Sequence, residues 1–269
     1  MSQDQDFLLL RLAGPLQSWG ASSEYSRRAT RDRPTKSGVL GLLAAAEGRA
    51  RGEDITDLVG LTMGVRVDQA GSLLRDYHTV SDHRGGPLPS TQVNAKGEQK
   101  NTSPAKPTYV TQRFYLQDAV FVVALGGPSP LVKGLEHAVR NPAFPLSLGR
   151  RSCPPAQPLL LPRPAGAEQG QDMESVLGAV PWQAGRQEQQ EHKDNAGDPQ
   201  TVRLSATVED EHGLFTEDDV PLSFSLGPRT RSGRKVHHTW IIAPTGLSPS
   251  TDSRRHASGN HDPFALLGW

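Results

Sequence analysis

The run Leu148-Gly149-Arg150-Arg151-Ser152-Cys153 sets a glycine, two adjacent arginines and a hydroxyl side by side, a set of groups suited to clasping phosphate. Glycine lets the backbone approach an anion, and paired guanidiniums grip it through parallel hydrogen bonds. The run lies between a helical pattern ending at Asn141-Pro142 and a proline-rich segment, which predicts an exposed loop held by rigid neighbours. Two other stretches concentrate positive charge. Between Arg27 and Lys36 stand Arg27, Arg28, Arg31, Arg33 and Lys36 against one acid, Asp32. Between Arg229 and His238 come Arg229, Arg231, Arg234 and Lys235, then His237 and His238, with no acid. Between Glu209 and Asp219, by contrast, lie six acids and no Lys or Arg, which reads as solvated loop.

The chain as a whole limits what these clusters can serve. Its 269 residues suffice for a core without covalent staples, and 29 Lys and Arg balance 29 Asp and Glu, so a polyanion must be met by local charge. The single cysteine, Cys153, excludes a disulfide framework and a multi-thiolate zinc site. No run reaches membrane-spanning length, and Phe7 to Leu12 is short for a signal-peptide core, so a cytoplasmic protein with no membrane contact is expected. Thr35-Lys36-Ser37 lacks the glycines of a nucleotide-binding loop. His256 and His261 with Asp262, or His212 among the acids, lack metal-ligand spacing, so no metal and no cofactor is expected. Cys153 has no base beside it in sequence and reads as a packing residue.

Elements must position the basic groups. Phe7 to Leu12, closed by Gly14-Pro15, reads as a buried strand; Thr35 or Ser37 caps a helix with Val39, Leu42, Leu43 and Ala46 on one face, up to Gly48. Met63, Val65 and Val67 alternate with Gly64, Arg66 and Asp68 as in a half-buried strand, and Ala119 to Leu125 is apolar throughout, as in a central one. Ser129-Pro130 opens a second helix with Leu131, Leu135, Ala138 and Val139 inward, and Leu159 to Leu161 forms a last strand. That order, βαββαβ over residues 1–162, predicts an α+β fold with a ferredoxin-like, RNA-recognition-motif-like body. An insertion from about Leu73 to Asp118 interrupts it. Leu73 to Val80 leads out and Tyr109 to Tyr115 returns, so the insertion should project as a mobile β-hairpin thumb. Its middle, about 81–108, carries His83, Arg84, Lys96, Lys100 and Lys106 against Asp82 and Glu98, suited to extended nucleic acid. Residues 163–201 are polar and read as linker or disordered loop. Residues 202–269 read as a small antiparallel β-rich subdomain with strands at Val202–Val208, Leu222–Leu226 and Val236–Ile242, then a tail whose Phe264, Leu266, Leu267 and Trp269 should dock on some surface.

Four blocks, Leu10 to Gly20, Pro34 to Leu43, Leu74 to Val80 and Leu148 to Pro154, occur in the right order and resemble the CasD family over residues 7–161. That family is the subunit of the type I-E CRISPR Cascade, an antiviral ribonucleoprotein, that holds the 5′ handle of the guide RNA (crRNA). The resemblance implies a body with a thumb that caps and kinks the guide where handle meets spacer. It also implies contacts with the Cascade backbone and large subunits, target DNA reached only through the guide, and no homo-oligomer. Carried over block by block, Gln17 and Trp19, the basic stretch Arg27, Arg28, Arg31, Arg33, Thr35, Lys36 and Ser37, then Tyr77 and His78, and the turn Gly149, Arg150, Arg151 and Ser152 become the RNA cradle, with His83 and Arg84 added from the thumb. Arginines and backbone amides should hold phosphates while aromatic faces take splayed bases.

Two other functions use the same residues. Relatives in other CRISPR types cut precursor RNA without metal, and Tyr25, Lys36 and His78 offer a base, a charge and an acid. Against this, type I-E systems cut with a separate subunit, and a lone His on a strand is more often a hydrogen-bonding residue. The other alternative is a scaffold that makes only protein contacts.

Overall fold

A computed structural model of the chain describes residues 5–20, 26–81, 108–164, 171–195, 200–225 and 230–247, with backbone alone at 89–93 and 99–101. The elements in order are β1 (Gln5–Ala13), β2 (Leu16–Gln17), β3 (Trp19–Gly20), β4 (Arg27–Arg28), β5 (Thr30–Arg31), α1 (Lys36–Glu47), α2 (Thr56–Val59), β6 (Thr62–Gln69), β7 (Ser72–Ser81), β8 (Pro89–Val93), β9 (Gln99–Asn101), β10 (Thr108–Gln117), β11 (Val120–Pro128), α3 (Ser129–Arg140), α4 (Met173–Ala179), α5 (Arg186–Asn195), β12 (Thr201–Glu209), β13 (Phe215–Pro221) and β14 (Arg231–Pro244). It is a mixed α/β fold whose strand pairs are antiparallel except for β4 with β10.

The main sheet runs β1-β11-β6-β12-β14-β13. Successive side chains of β1 point to opposite faces, yet both faces are dry. Leu8, Leu10 and Leu12 join Phe121, Val123 and Leu125 under α1 and α3, while Leu9 joins Val122 and Ala124 under α4. Burial on both faces is why β1 and β11 read as unbroken apolar runs. Thr35 caps α1, its Oγ1 accepting from Gly38 N at 3.2 Å, and Leu135 and Val139 of α3 are buried as their spacing predicts. The expected last strand shrinks to a bridge between Leu160 and Leu10 on the free edge of β1, held by Arg11 N to Leu159 O and Leu161 N to Leu9 O.

The insertion behaves as its flanks predict. β7 and β10 pair without interruption from Ser72 opposite Gln117 to Ser81 opposite Thr108, and the backbone farther out carries the short β8–β9 ladder. At its body end β10 also pairs with β2 and, in parallel, with β4. His83, Arg84 and the side chains of Lys96, Lys100 and Lys106 lie outside the described residues, as does the tail from 248 onward.

The second half departs from the sequence reading in three respects. First, β12, β14 and β13 form no separate subdomain: β12 pairs with β6 through Ala206 opposite Arg66 to Val208 opposite Gly64, so the body's own sheet continues into them. Secondly, the middle strand is Phe215–Pro221, largely inside the acidic run, whereas Leu222 to Ser225 carry no strand and Leu226 lies outside the described residues; Phe224 instead packs onto the first core at Gly41. Thirdly, the expected linker holds α4 and α5. Met173, Val176, Leu177 and Val180 form an i, i+3, i+4, i+7 stripe that covers the back of the sheet, and average polarity had hidden it. Gly64 makes room for this helix, because a Cβ there would stand 2.7 Å from Met173 Cγ.

Arg66 secures that segment. The sequence places it on the wet face of a half-buried strand, but it is fully buried and every guanidinium N–H finds an acceptor. Its Nε and Nη2 donate to the Asp68 carboxylate at 2.7 and 2.8 Å, Nη1 to Leu177 O and to Val180 O, and Nη2 to Pro181 O at 3.1 Å. Asp68 in turn accepts from Gln183 N at 2.6 Å, and its carbonyl accepts from Trp182 Nε1 at 2.8 Å. Arg66→Met strands a buried carboxylate and three carbonyls, so unfolding free energy should fall by about 3–5 kcal/mol in urea titrations. A loss below about 1 kcal/mol would mean that packing of α4 alone holds the segment.

Candidate nucleic-acid interface

The predicted phosphate turn folds back on the start of the chain. Ser18 N donates to Leu148 O at 3.1 Å and Leu148 N to Cys153 O at 2.7 Å, closing the loop. Gly149 sits at φ +87, and a Cβ there would fall 1.8 Å from Ser18 O, so no other residue fits. The two arginines then divide. Arg150 turns inward, donating to Phe114 O at 3.3 Å and Arg28 O at 2.8 Å with its guanidinium 4.8 Å from the centre of the Tyr115 ring. Arg151 and Ser152 are exposed. Thus Arg150 splices the turn to β10 and β4, and Arg151 faces solvent.

This splice gathers a basic surface at the base of the thumb. Arg27 and Arg28 of β4 are exposed beside β10, Arg27 lying 4.9 Å from the centre of the Phe114 ring. Tyr77, 65% exposed, stands opposite Gln112, the residue that pairs with Arg27 on the other side. Among the described residues no ion pair engages Arg27, Arg28 or Arg151. His78 alternates to the opposite face of β7, 3.6 Å from Asp76. Phe114 and Tyr115, the rings on which Arg27 and Arg150 rest, read from sequence only as returning strand; the two adjacent aromatics after Arg113 are the available signal.

Other candidates prove to be internal. Gln17 and Trp19 are completely buried: Gln17 Nε2 donates to Leu12 O and Ala119 O at 3.0 and 2.6 Å, and its Oε1 accepts from Trp19 Nε1 at 3.1 Å. Both are corrected from RNA contacts to struts, since neither offers a free polar group or face. Thr35 is consumed as the α1 cap, with Ser37 Oγ 3.4 Å away, and Lys36 is buried, its side chain 3% exposed. Lys36 Nζ donates to both Glu209 oxygens at 2.9 and 3.0 Å, and Lys36 N donates to Asp219 at 2.7 Å. Arg234 binds Asp219 at 2.7 Å and reaches Glu209 at 3.5 Å. The acidic run is therefore internal counter-charge at its two ends and not simply solvated loop. Asp219 also fills the helix N-terminus where a phosphate would otherwise sit.

Arg31 and Arg33 belong to a different neighbourhood. Arg31 lies 3.7 Å from Glu217, and Arg33 clasps Asp32, touches Thr207 Oγ1 and stands 3.3 Å from His238 Nδ1. The hydrogen bond from Arg33 holds the Asp32 carboxyl below the usual carboxylate range, its charge adding to the effect against partial burial. The catalytic trio does not assemble among the described residues: Lys36 is committed to Glu209, and Tyr25 lies outside them. Cys153 is buried and packs in the first core, and burial pushes its thiol up, which slows its reaction. No group of three His, Cys, Asp or Glu suited to a metal occurs among the described residues, and no helix there is long and apolar enough to cross a membrane.

Comparison with known proteins links the chain to CRISPR systems. A family model described as CRISPR-associated protein (Cas_Cas5) matches residues 7–237, and the chain belongs to that family. The match runs well past the blocks that carry the sequence resemblance and takes in β12, β13 and the first half of β14. The Cascade subunit CasD of Escherichia coli (strain K12) is 37% identical over 194 residues, 64% of this chain and 76% of its own length. Among solved structures, a chain of a CRISPR RNA-guided surveillance complex is 36% identical with a TM-score of 0.69, covering 92% of this chain and 95% of the other. A Cas protein crystal structure is 34% identical with a TM-score of 0.61, covering 89% and 96%.

Two outcomes separate strut from RNA ligand. Lys36→Ala leaves the part-buried Glu209 carboxylate with Met63 N at 3.1 Å and the longer Arg234 interaction, so stability should drop by about 2 kcal/mol in denaturant titration. Arg150→Ala should speed labelling of Cys153 by a thiol reagent under native conditions, whereas Arg151→Ala leaves that rate unchanged. Equal rates in both variants would remove the splice.

Proposed function

We propose that this chain is the guide-RNA-binding subunit of a type I-E Cascade assembly and that it caps the 5′ handle of the guide without cutting it. What carries the reading is Arg27, Arg28 and Arg151, exposed and without an ion pair among the described residues at the thumb base, with Arg27 on the same face as exposed Tyr77. Free arginines with an exposed ring beside one of them suit single-stranded RNA, whose phosphates take the guanidiniums and whose unstacked bases take the ring. Family membership and the likeness to a chain of an RNA-guided surveillance complex support it. The body is read as ferredoxin-like: residue 160, β1, β11 and β6 lie in that spatial order with α1 and α3 on one face, as a βαββαβ unit requires. The thumb extends the cradle, and backbone and large subunits of the assembly are its protein neighbours. Burial of Lys36 against Glu209 favours the non-catalytic reading over cleavage.

The test is an RNA-binding titration across salt concentrations. Arg28→Ala with Arg151→Ala should weaken handle binding and flatten the log-log salt dependence by about 0.7 for each phosphate that is no longer neutralised on single-stranded RNA. Unchanged affinity and slope would remove the cradle. Incubating the chain with repeat RNA in EDTA should leave the RNA intact, and a discrete product would establish a metal-independent nuclease. A chain that enters the assembly while no RNA co-purifies would be a scaffold.

A further inference from the structure

The helix-side face of the sheet extension is only partly covered. Thr207 of β12 pairs with Val65, which lies in the core under α1, so Thr207 and the residues two and four before it, Ser205 and Arg203, share that face. Opposite them on β14 stand His238, Trp240 and Ile242 in turn. Val236 at the near end is fully buried, but Trp240 is 59% and Ile242 68% exposed. The opposite face of the same strands is dry, with Leu204 and Ala243 packed on Trp182, and Val208 and Ile241 in the core with α4.

The open part carries rings and cations in register. The Arg203 guanidinium lies 4.7 Å from the centre of the Trp240 ring. Phe215, opposite Val236 and half exposed, sets its ring 4.8 Å from that of His238. Arg33 reaches His238 from the β5–α1 connection. Past the part-buried Glu209 end, the residues sharing this face on β12 and β14 include no acid. The Trp240 and His238 rings, two residues apart on one face of β14 with the Arg203 guanidinium beside them, complement a chain of stackable bases joined by phosphates.

The geometry points to a second single-stranded nucleic-acid site on this face, with Trp240 and His238 as stacking surfaces and Arg203 as the phosphate ligand. It is separate from the thumb-base cradle and does not rest on it. The probe is a short oligouridylate of about ten nucleotides, the span of such a platform, titrated into the full chain while tryptophan emission is followed. Trp19 and Trp182 are buried, so Trp240 dominates the accessible signal among the described residues.

Binding should quench the emission. Trp240→Phe should abolish most of the quench while keeping affinity near that of the parent chain, and Trp240→Ala should weaken binding about tenfold, the loss of one base stack. An abasic phosphate chain of equal length should bind weakly and quench nothing. The cradle variant Arg28→Ala with Arg151→Ala should retain the quench, which distinguishes failure at one site from failure at the other. Equal affinity of Trp240→Ala and the parent, equal binding of the abasic chain, or loss of the quench in the cradle variant would each overturn the proposal. So would protection of Trp240 by a protein neighbour in the assembled particle with no change on adding RNA, which would make the face a protein dock.

Discussion

Three buried charges and one part-buried charge meet at the seam between the helix layer and the sheet extension. Lys36 and Arg234 bring two positive charges, Glu209 and Asp219 two negative, and each lies on a different element: α1, β14, β12 and β13. A neutral quartet of this kind repays part of its desolvation through close, multiply bonded geometry, and removing any one member leaves a bare charge. The quartet fixes the sheet extension against the helix layer. The open face around Trp240 takes its orientation from that anchorage together with the pairing of β12 on β6.

The same arrangement sorts the basic residues by task. A guanidinium or ammonium that finishes an internal network cannot also neutralise phosphate, so burial divides one apparent cluster into two kinds. Lys36 and Arg150 are spent on carboxylate or carbonyl partners within the chain, whereas Arg27, Arg28 and Arg151 keep their charge available. Adjacent arginines in a turn thus act in sequence: one sets the position of the backbone from which the other projects.

Much of the body was legible in the chain because its signals are local. The apolar runs of β1 and β11, the Thr35 cap, the Pro130 helix start and the long β7–β10 stem each follow from a few neighbouring residues. The errors share another origin. Whether Arg66 is wet or dry depends on α4, more than a hundred residues away, and whether the acids at Glu209 and Asp219 are solvated depends on Lys36 and Arg234. Composition averaged over residues 163–201 concealed the four apolar side chains of α4, whose helical spacing was present all along. At the site, residue types pointed to phosphate chemistry, but which arginine faces outward is fixed by Phe114 O and Arg28 O, acceptors supplied by backbone that no side-chain pattern reveals.

The carbonyl of Phe114 receives two donors, the Ser18 hydroxyl and Arg150, and it belongs to the strand that also forms one rail of the thumb. With β7 along one edge and β4 along the other, that strand has no slack joint where the projection leaves the body. A displacement of the paired stem between Ser81 and Thr108 is therefore passed along β10 to the Phe114 carbonyl, where the turn holding Arg151 is attached. Stem and turn are thereby coupled mechanically, through a lever two strands wide.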